Sequence, residues 1–108
     1  MSLQIRWTHI AQQSLSDVFE YTYAEFGERR LRKLCSEIYT ATRRIASFPQ
    51  SGKEESEISV EMGIVYRSTI VIKEIKLLYT IEGDTVYIEY VKNARQDDAT
   101  MLMKLGNI

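Results

Sequence analysis

The sequence predicts a single α+β domain in which a helical hairpin packs on one face of a twisted, mainly antiparallel sheet. Two amphipathic helical patterns follow one another between residues 9 and 48. Three β-rich runs with short separations follow between residues 64 and 92. The whole chain, residues 1–108, has room for one hydrophobic core and one domain. The predicted order of elements is β, α, α, β, β, β, α.

The first half of the chain predicts a strand followed by two antiparallel helices. Residues 3–7 alternate between apolar and polar side chains, as a half-buried strand does. Thr8 occupies an N-cap position, Gly27 ends the first helix, and Pro49 ends the second. The expected core-facing positions are Ala11, Leu15, Val18, Phe19, Thr22 and Phe26, then Leu31, Leu34, Cys35, Ile38, Thr42, Ile45 and Phe48.

The second half predicts a three-stranded meander and a short final helix. Residues 53–63 contain four glutamates and indicate a loop or a weak edge strand. The strands are expected at Ile64–Ile72, Ile75–Glu82 and Thr85–Lys92, because the two-residue separations between them suit hairpin turns. Asp97 is the expected N-cap of the last helix, in which Met101, Leu102 and Leu105 share one side.

The middle strand indicates which face of the sheet the helices cover. Its apolar set, Ile75, Leu77, Tyr79 and Ile81, is expected beneath the helical hairpin. The alternate set, Lys76, Leu78, Thr80 and Glu82, is expected on an open face. We therefore expect a ligand or partner to bind that second face.

Composition excludes several classes of function. Fourteen Lys and Arg against fifteen Asp and Glu give a net charge of -1, so no global basic field attracts nucleic acid. The single cysteine, the absence of a signal-peptide pattern and the short apolar runs favour a cytoplasmic protein without membrane spans. No metal motif and no glycine-rich phosphate loop is found, so we expect neither metal nor cofactor.

Several short motifs, in their order and spacing, resemble the RelE/ParE toxin superfamily and favour its ParE-like branch, known from plasmid stabilisation. They are Ile5-Arg6-Trp7-Thr8, Ala11, Leu15, Tyr21, Gly27, Phe48-Pro49-Gln50-Ser51-Gly52, Gly63-Ile64-Val65-Tyr66-Arg67, Leu77-Leu78-Tyr79 and Arg95-Gln96-Asp97. The resemblance implies a type II toxin–antitoxin toxin that a cognate antitoxin neutralises. ParE-like members are implied to poison DNA gyrase, whereas RelE-like members are ribosome-dependent messenger RNA endoribonucleases (mRNA interferases).

The same resemblance supplies candidate catalytic residues for the ribonuclease alternative. Arg67, Lys76 and Arg95 match cationic positions of the RelE-like site, and Arg67 and Lys76 are expected on one face. Thr69 stands where that site has a second lysine, and Met101 stands roughly where it has a tyrosine. Metal-free RNA cleavage needs a proton-transfer group as well as cations. The pattern therefore favours a toxin that binds a target, such as gyrase, over an enzyme.

The expected partner-binding residues are Leu78, Arg67, Met101, Leu102 and Leu105, which would form a groove for an antitoxin segment. Arg95 is expected either to tie the C-terminal segment to the sheet through Asp97 or Asp98, which is favoured, or to contact the target or the antitoxin. His9 is expected at the surface and Cys35 in the core. The sequence leaves open the target, the antitoxin, whether the toxin is active or inert, and whether it forms a homo-oligomer or a heteromer.

The basic residues of the second helix have two interpretations. Arg29, Arg30, Arg32, Lys33, Arg43 and Arg44 make its outer face cationic. They form either a solvated helix face or a docking surface for an acidic protein. A nucleic-acid surface is disfavoured because no exposed aromatic side chains are clearly interleaved with them. Likewise, Arg67 and Lys76 form either a functional pair or part of a solvated sheet face.

Overall fold

The computed structural model describes residues 2–106 and confirms the α+β fold class. The elements are β1 (Gln4–Trp7), α1 (His9–Phe26), α2 (Glu28–Ser47), β2 (Lys53–Glu54), α3 (Ser56–Met62), β3 (Arg67–Ile72), β4 (Ile75–Glu82), β5 (Thr85–Asn93) and α4 (Asp98–Gly106). The strand order is β1-β5-β4-β3-β2, with β1 parallel to β5 and every other pair antiparallel. The sheet is therefore mainly antiparallel, as predicted.

The helical hairpin begins and turns where the sequence indicates. The Thr8 hydroxyl accepts a hydrogen bond from the backbone N–H of Ala11 at 3.0 Å and so caps α1. Gly27 alone separates the helices and has φ 86°, a left-handed conformation that glycine adopts without strain. The one-residue connection folds α2 back along α1.

One face of the sheet and the helical hairpin enclose the main core. Its buried residues are Ala11, Val18, Leu34, Ile38, Ala41, Ile45, Val71, Ile75, Leu77, Tyr79, Val86, Ile88 and Val91. The predicted inward set of β4 is confirmed, with Ile81 packed at the margin. Three predicted core positions are wrong: Phe26 and Phe48 are 48% and 68% exposed, and Cys35 is also exposed. They lie at the ends and margin of the apolar stripes.

The chain passes to the second sheet face through a short turn after α2. Residues Pro49–Ser51 form a 3-10 turn, and the Tyr79 hydroxyl donates to the Pro49 carbonyl at 2.7 Å. The same hydroxyl accepts from the Gly52 N–H at 3.0 Å. A Cβ at position 52 would overlap this hydroxyl and lie 2.7 Å from the Ser68 carbonyl oxygen. Glycine is therefore required by close packing at this crossing.

The second sheet face is partly covered, which corrects the expectation of an open face. Helices α3 and α4 enclose a second cluster against it, formed by Ile58, Tyr66, Leu78, Tyr90, Met101 and Leu105. The remainder of that face, towards the β4–β5 turn, keeps Arg6 and Glu82 exposed. The second face therefore has a covered half and an open half.

The segment between Gly52 and β3 also departs from the prediction. A weak edge strand is present as the two-residue β2, but residues 56–62 form α3 rather than a loop. Strand β3 begins at Arg67 instead of Ile64. Isolated helices this short are unstable, so burial of Ile58 against the sheet, rather than helix propensity, holds α3 in place.

The free edge of β3 is occupied by a side chain of α2. Strand β2 pairs only with Arg67 and Ser68. Beyond that pairing, the Arg44 guanidinium donates to the Thr69 hydroxyl at 2.7 Å and to the Ile70 carbonyl at 3.2 Å. Arg44 therefore fastens the end of α2 to the edge of the sheet.

Removing the Tyr79 hydroxyl tests how residues 49–52, the crossing segment that leads from α2 to the second sheet face, are held in place. We expect Tyr79→Phe to lower the free energy of unfolding by about 1–3 kcal/mol, because the buried Gly52 N–H loses its acceptor. Tyr23→Phe, at a side chain that is 59% exposed, is the matched control and should change stability by less than about 0.5 kcal/mol. Urea denaturation of both variants measures the difference. Equal stabilities would show that the hydroxyl does not hold the crossing.

Candidate functional site

A cleft of about 340 Å³ lies over the covered half of the second face, between α3 and α4. Ile58 of α3 and Met101 of α4 line its sides, and Leu78 of β4 contributes an apolar surface. Lys76 and Lys92 lie on adjacent strands and also line it. The cleft thus combines an apolar patch with charges of both signs, from three lysines (these two and Lys53) and four acidic residues (Glu54, Glu55, Glu57 and Asp98).

Lys76 is neutralised within the chain. Its ammonium group lies 3.2 Å from a carboxylate oxygen of Glu55, the residue between β2 and α3. The Ser68 hydroxyl donates to the same carboxylate. Burial acts to raise the pKa of Glu55, but the hydrogen bonds from Ser68 and Lys76, together with the charges of Lys76 and Lys53, outweigh it, so the pKa lies below its ordinary value. Lys76 is therefore held in an ion pair.

Lys92 is a site residue that the sequence reasoning missed. The register places Lys92 directly opposite Lys76, an arrangement in which like charges repel. Asp98, the first residue of α4, lies 3.0 Å from the Lys92 ammonium group and compensates its charge. Alternation along the predicted strand puts Lys92 in phase with Val86 and Ile88, which face the main core, and only the β-bulge at Glu89 brings it to the face of Lys76. The two ion pairs also anchor the segments that carry α3 and α4.

Arg67 lies on the opposite face from Lys76. It is the register partner of Tyr79, which faces the helical hairpin, whereas Lys76 shares its face with Leu78. The Arg67 guanidinium donates to the Gly52 carbonyl at 3.0 Å. The expectation that Arg67 and Lys76 share a face is therefore wrong. Arg67 supports the crossing segment.

Arg95 is held in a different way from the one expected. Its guanidinium lies over the Tyr21 ring of α1, 5.3 Å from the ring centroid, which is cation–π geometry. Asp97 instead caps α4 by accepting from the Thr100 N–H at 2.9 Å. The tie between the sheet and the C-terminal helix is made by Lys92, not by Arg95.

The expected partner-binding residues are largely buried within the chain. Leu78 and Met101 are each 1% exposed, and Leu105 is 7% exposed. Leu102 is partly buried against the same cluster. Helix α4 thus fills the groove that the alternation of β4 indicated. Only the outer surface of α4, where Met103 is 68% exposed, is freely accessible.

The helical hairpin carries two pairs of exposed arginine and aromatic side chains. The Arg30 guanidinium lies 4.8 Å from the Phe26 ring centroid, and that of Arg43 lies 5.8 Å from the Tyr39 ring centroid. The expectation that aromatic side chains are not interleaved with these basic residues is therefore wrong. In each pair, an arginine of the same chain lies over the aromatic ring.

Glu89 marks the boundary between the covered and open halves of the second face. It lies at a β-bulge, because Tyr79 pairs with Ile88 while Leu78 pairs with Tyr90. The Thr80 hydroxyl donates to its carboxylate at 2.7 Å. Burial raises the pKa of Glu89, and the bond from Thr80 offsets only part of that effect. Burial, together with the charge of Glu89, also raises the pKa of Tyr66 to about 12.

The described residues hold no metal-binding arrangement, and the single histidine, His9, lies at the surface. No group of three or more His, Cys, Asp or Glu side chains between residues 2 and 106 has the geometry to hold a metal ion. His9 is exposed and forms a hydrogen bond only with Gln13 of the same helix. In the same described range, no helix is long and apolar enough to cross a membrane.

The raised pKa of Glu89 predicts a specific pH dependence of stability. The folded state binds the proton more tightly than the unfolded state. Protonated Glu89 therefore contributes to the stability of the folded state at pH values below the ordinary glutamate pKa. That contribution is lost as the pH rises through the raised pKa of Glu89. We expect Glu89→Gln to raise the free energy of unfolding at about pH 7, and the gain to vanish near pH 3.

Denaturation curves at several pH values measure this effect. Glu82→Gln, at an exposed position of β4, is the matched control and should give no comparable gain. If Glu89→Gln raised the free energy of unfolding equally at both pH values, the buried charge of Glu89 would not be what destabilises the folded protein.

Comparisons with known proteins identify the family. The family model for the ParE toxin of the type II toxin-antitoxin system parDE matches residues 5–98. A solved structure described as a chromosomal ParDE TA system from P. aeruginosa is similar in fold, with a TM-score of 0.68 and 15% sequence identity. The similarity covers 85% of this chain and 96% of that chain. No match is found among curated protein sequences.

The assignment stands on the match over these residues and does not require the fully open sheet face that the sequence reasoning assumed. The chain belongs to the ParE toxin family of type II toxin–antitoxin systems.

Proposed function

We propose that the chain is a toxin that acts by binding a protein target, DNA gyrase, in the cytoplasm, and that a cognate antitoxin neutralises it. Family membership supports the toxin assignment. We favour binding over catalysis because Arg67 and Lys76 lie on opposite faces of the sheet.

The ribonuclease alternative requires cations that gather around one phosphate. Arg67 is engaged by backbone carbonyls, Lys76 is paired with Glu55, and Arg95 is stacked on Tyr21. Metal-free cleavage also needs a proton-transfer group beside the phosphate. Met101 stands at the position of the expected tyrosine, has no ionisable group and is buried. This arrangement disfavours messenger RNA cleavage.

The proposed partner-binding residues remain those of α4 and its surroundings. Because Leu78, Met101 and Leu105 are buried, they would act by holding α4 in place. Leu102, which is only partly buried, is the one that an antitoxin segment would contact directly. Arg67 would contribute by fixing the crossing segment.

Two parallel assays test the target. The purified protein should inhibit a gyrase supercoiling reaction and should leave messenger RNA on programmed ribosomes uncut. Lys76→Gln should inhibit gyrase as the wild-type protein does, because this proposal gives Lys76 no contact with the target. Decoding-site cleavage that Lys76→Gln abolishes, without loss of thermal stability, would instead support the ribonuclease.

A substitution on α4 tests the antitoxin surface. We expect Leu102→Asn to weaken binding of the cognate antitoxin about ten-fold or more, because an apolar anchor is lost. Ala99→Asn, at an exposed position of the same helix, is the matched control and should leave affinity unchanged. Isothermal titration calorimetry measures both. Equal affinities for the two variants would remove Leu102 from the interface.

A further inference from the structure

One half-buried charge on the second sheet face has no partner of opposite charge. Three half-buried charged residues there, Glu55, Lys76 and Lys92, are held in ion pairs. Glu89 is buried to a similar degree, yet within residues 2–106 no basic group lies within 4.0 Å of its carboxylate. A half-buried charge without a counterion reduces stability.

The contacts that Glu89 makes within the chain do not require its charge. One carboxylate oxygen accepts from Thr80 at 2.7 Å, a bond that a glutamine side chain could accept equally well. The other oxygen has no hydrogen-bond donor among the described residues. The ionised carboxylate therefore has acceptor capacity that the fold leaves unused.

The position of Glu89 makes that capacity accessible to another protein. It lies at the bulge where the covered half of the face ends, and bulges re-aim side chains at such sites. Tyr66 of the second cluster lies close enough for the charge of Glu89 to raise its pKa. A half-buried acidic group at the margin of that cluster suits a protein segment that presents a basic residue.

We propose that Glu89 binds the guanidinium group of an arginine from the cognate antitoxin. This inference rests on the proposed function for the identity of the partner. Arginine fits because its planar group offers two parallel N–H donors to one carboxylate, and the pair would be charge-assisted. A nucleic acid does not fit, because its phosphates carry the same sign of charge as Glu89.

The competing explanation is that Glu89 forms an ion pair with Arg6 of the same chain. Arg6 lies on β1 opposite Tyr87 of β5 and is exposed on the same face. The structure shows no ion pair between Arg6 and Glu89. A double-mutant cycle with Arg6→Gln and Glu89→Gln tests this explanation in the free protein. Additive effects on stability support the proposal, and a stabilising coupling between the two residues overturns it.

The first binding experiment uses argininamide as a probe of the isolated protein. NMR titration should show shifts centred on Glu89 and Thr80 that are lost in Glu89→Gln and retained in Glu82→Gln. Shifts of equal size in Glu89→Gln, or none at Glu89 in the wild-type protein, would refute a guanidinium site there.

The second experiment measures the affinity of the cognate antitoxin. Glu89→Gln should weaken binding about ten-fold or more, the usual effect of removing a charged hydrogen bond, whereas Glu82→Gln should not. Antitoxin that binds wild-type protein and Glu89→Gln equally would overturn the proposal while leaving the proposed function intact. Antitoxin that fails to bind wild-type protein would instead refute the proposed function, and the argininamide titration would then decide whether Glu89 is a guanidinium site.

Discussion

The hydroxyl group of Tyr79 fixes the point at which the chain leaves the helical side of the sheet. It bonds to Pro49 and Gly52 on the segment that follows α2, and Arg67 holds the same segment through the Gly52 carbonyl. This segment leads directly into β2 and α3. The path by which the chain enters α3 therefore depends on one tyrosine in the main core, in addition to the burial of Ile58 and the Lys76–Glu55 pair that hold α3 against the sheet.

The two faces of the sheet serve different purposes. The helical hairpin covers one face with an apolar core, whereas the covered half of the other face combines a smaller apolar cluster with two ion pairs. In those pairs, the ammonium groups of Lys76 and Lys92 are neutralised by carboxylates of the same chain. The surfaces proposed above for recognition, Glu89 and the outer side of α4, lie outside these two ion pairs.

Sequence periodicity predicted α1, α2 and α4, the bounds of β4 and the Asp97 cap, because these depend on local patterns and capping groups. It missed α3, since four glutamates obscure its single buried residue, Ile58. It also placed Arg67 and Lys76 on one face, because a β-bulge between Ile70 and Ile72 shifts the register of the β3–β4 hairpin by one residue, and simple alternation does not reveal such a bulge. Most errors about the candidate site follow from those two causes.

The contact between Arg44 and the edge of β3 has a consequence beyond anchoring α2. Strand β2 is too short to pair with all of β3, and the exposed Ile70 lies on the uncovered stretch. Unpaired strand edges of this kind template the growth of intermolecular sheets. By occupying the Ile70 carbonyl, the Arg44 guanidinium leaves one fewer backbone acceptor on this edge for a strand of another molecule to pair with.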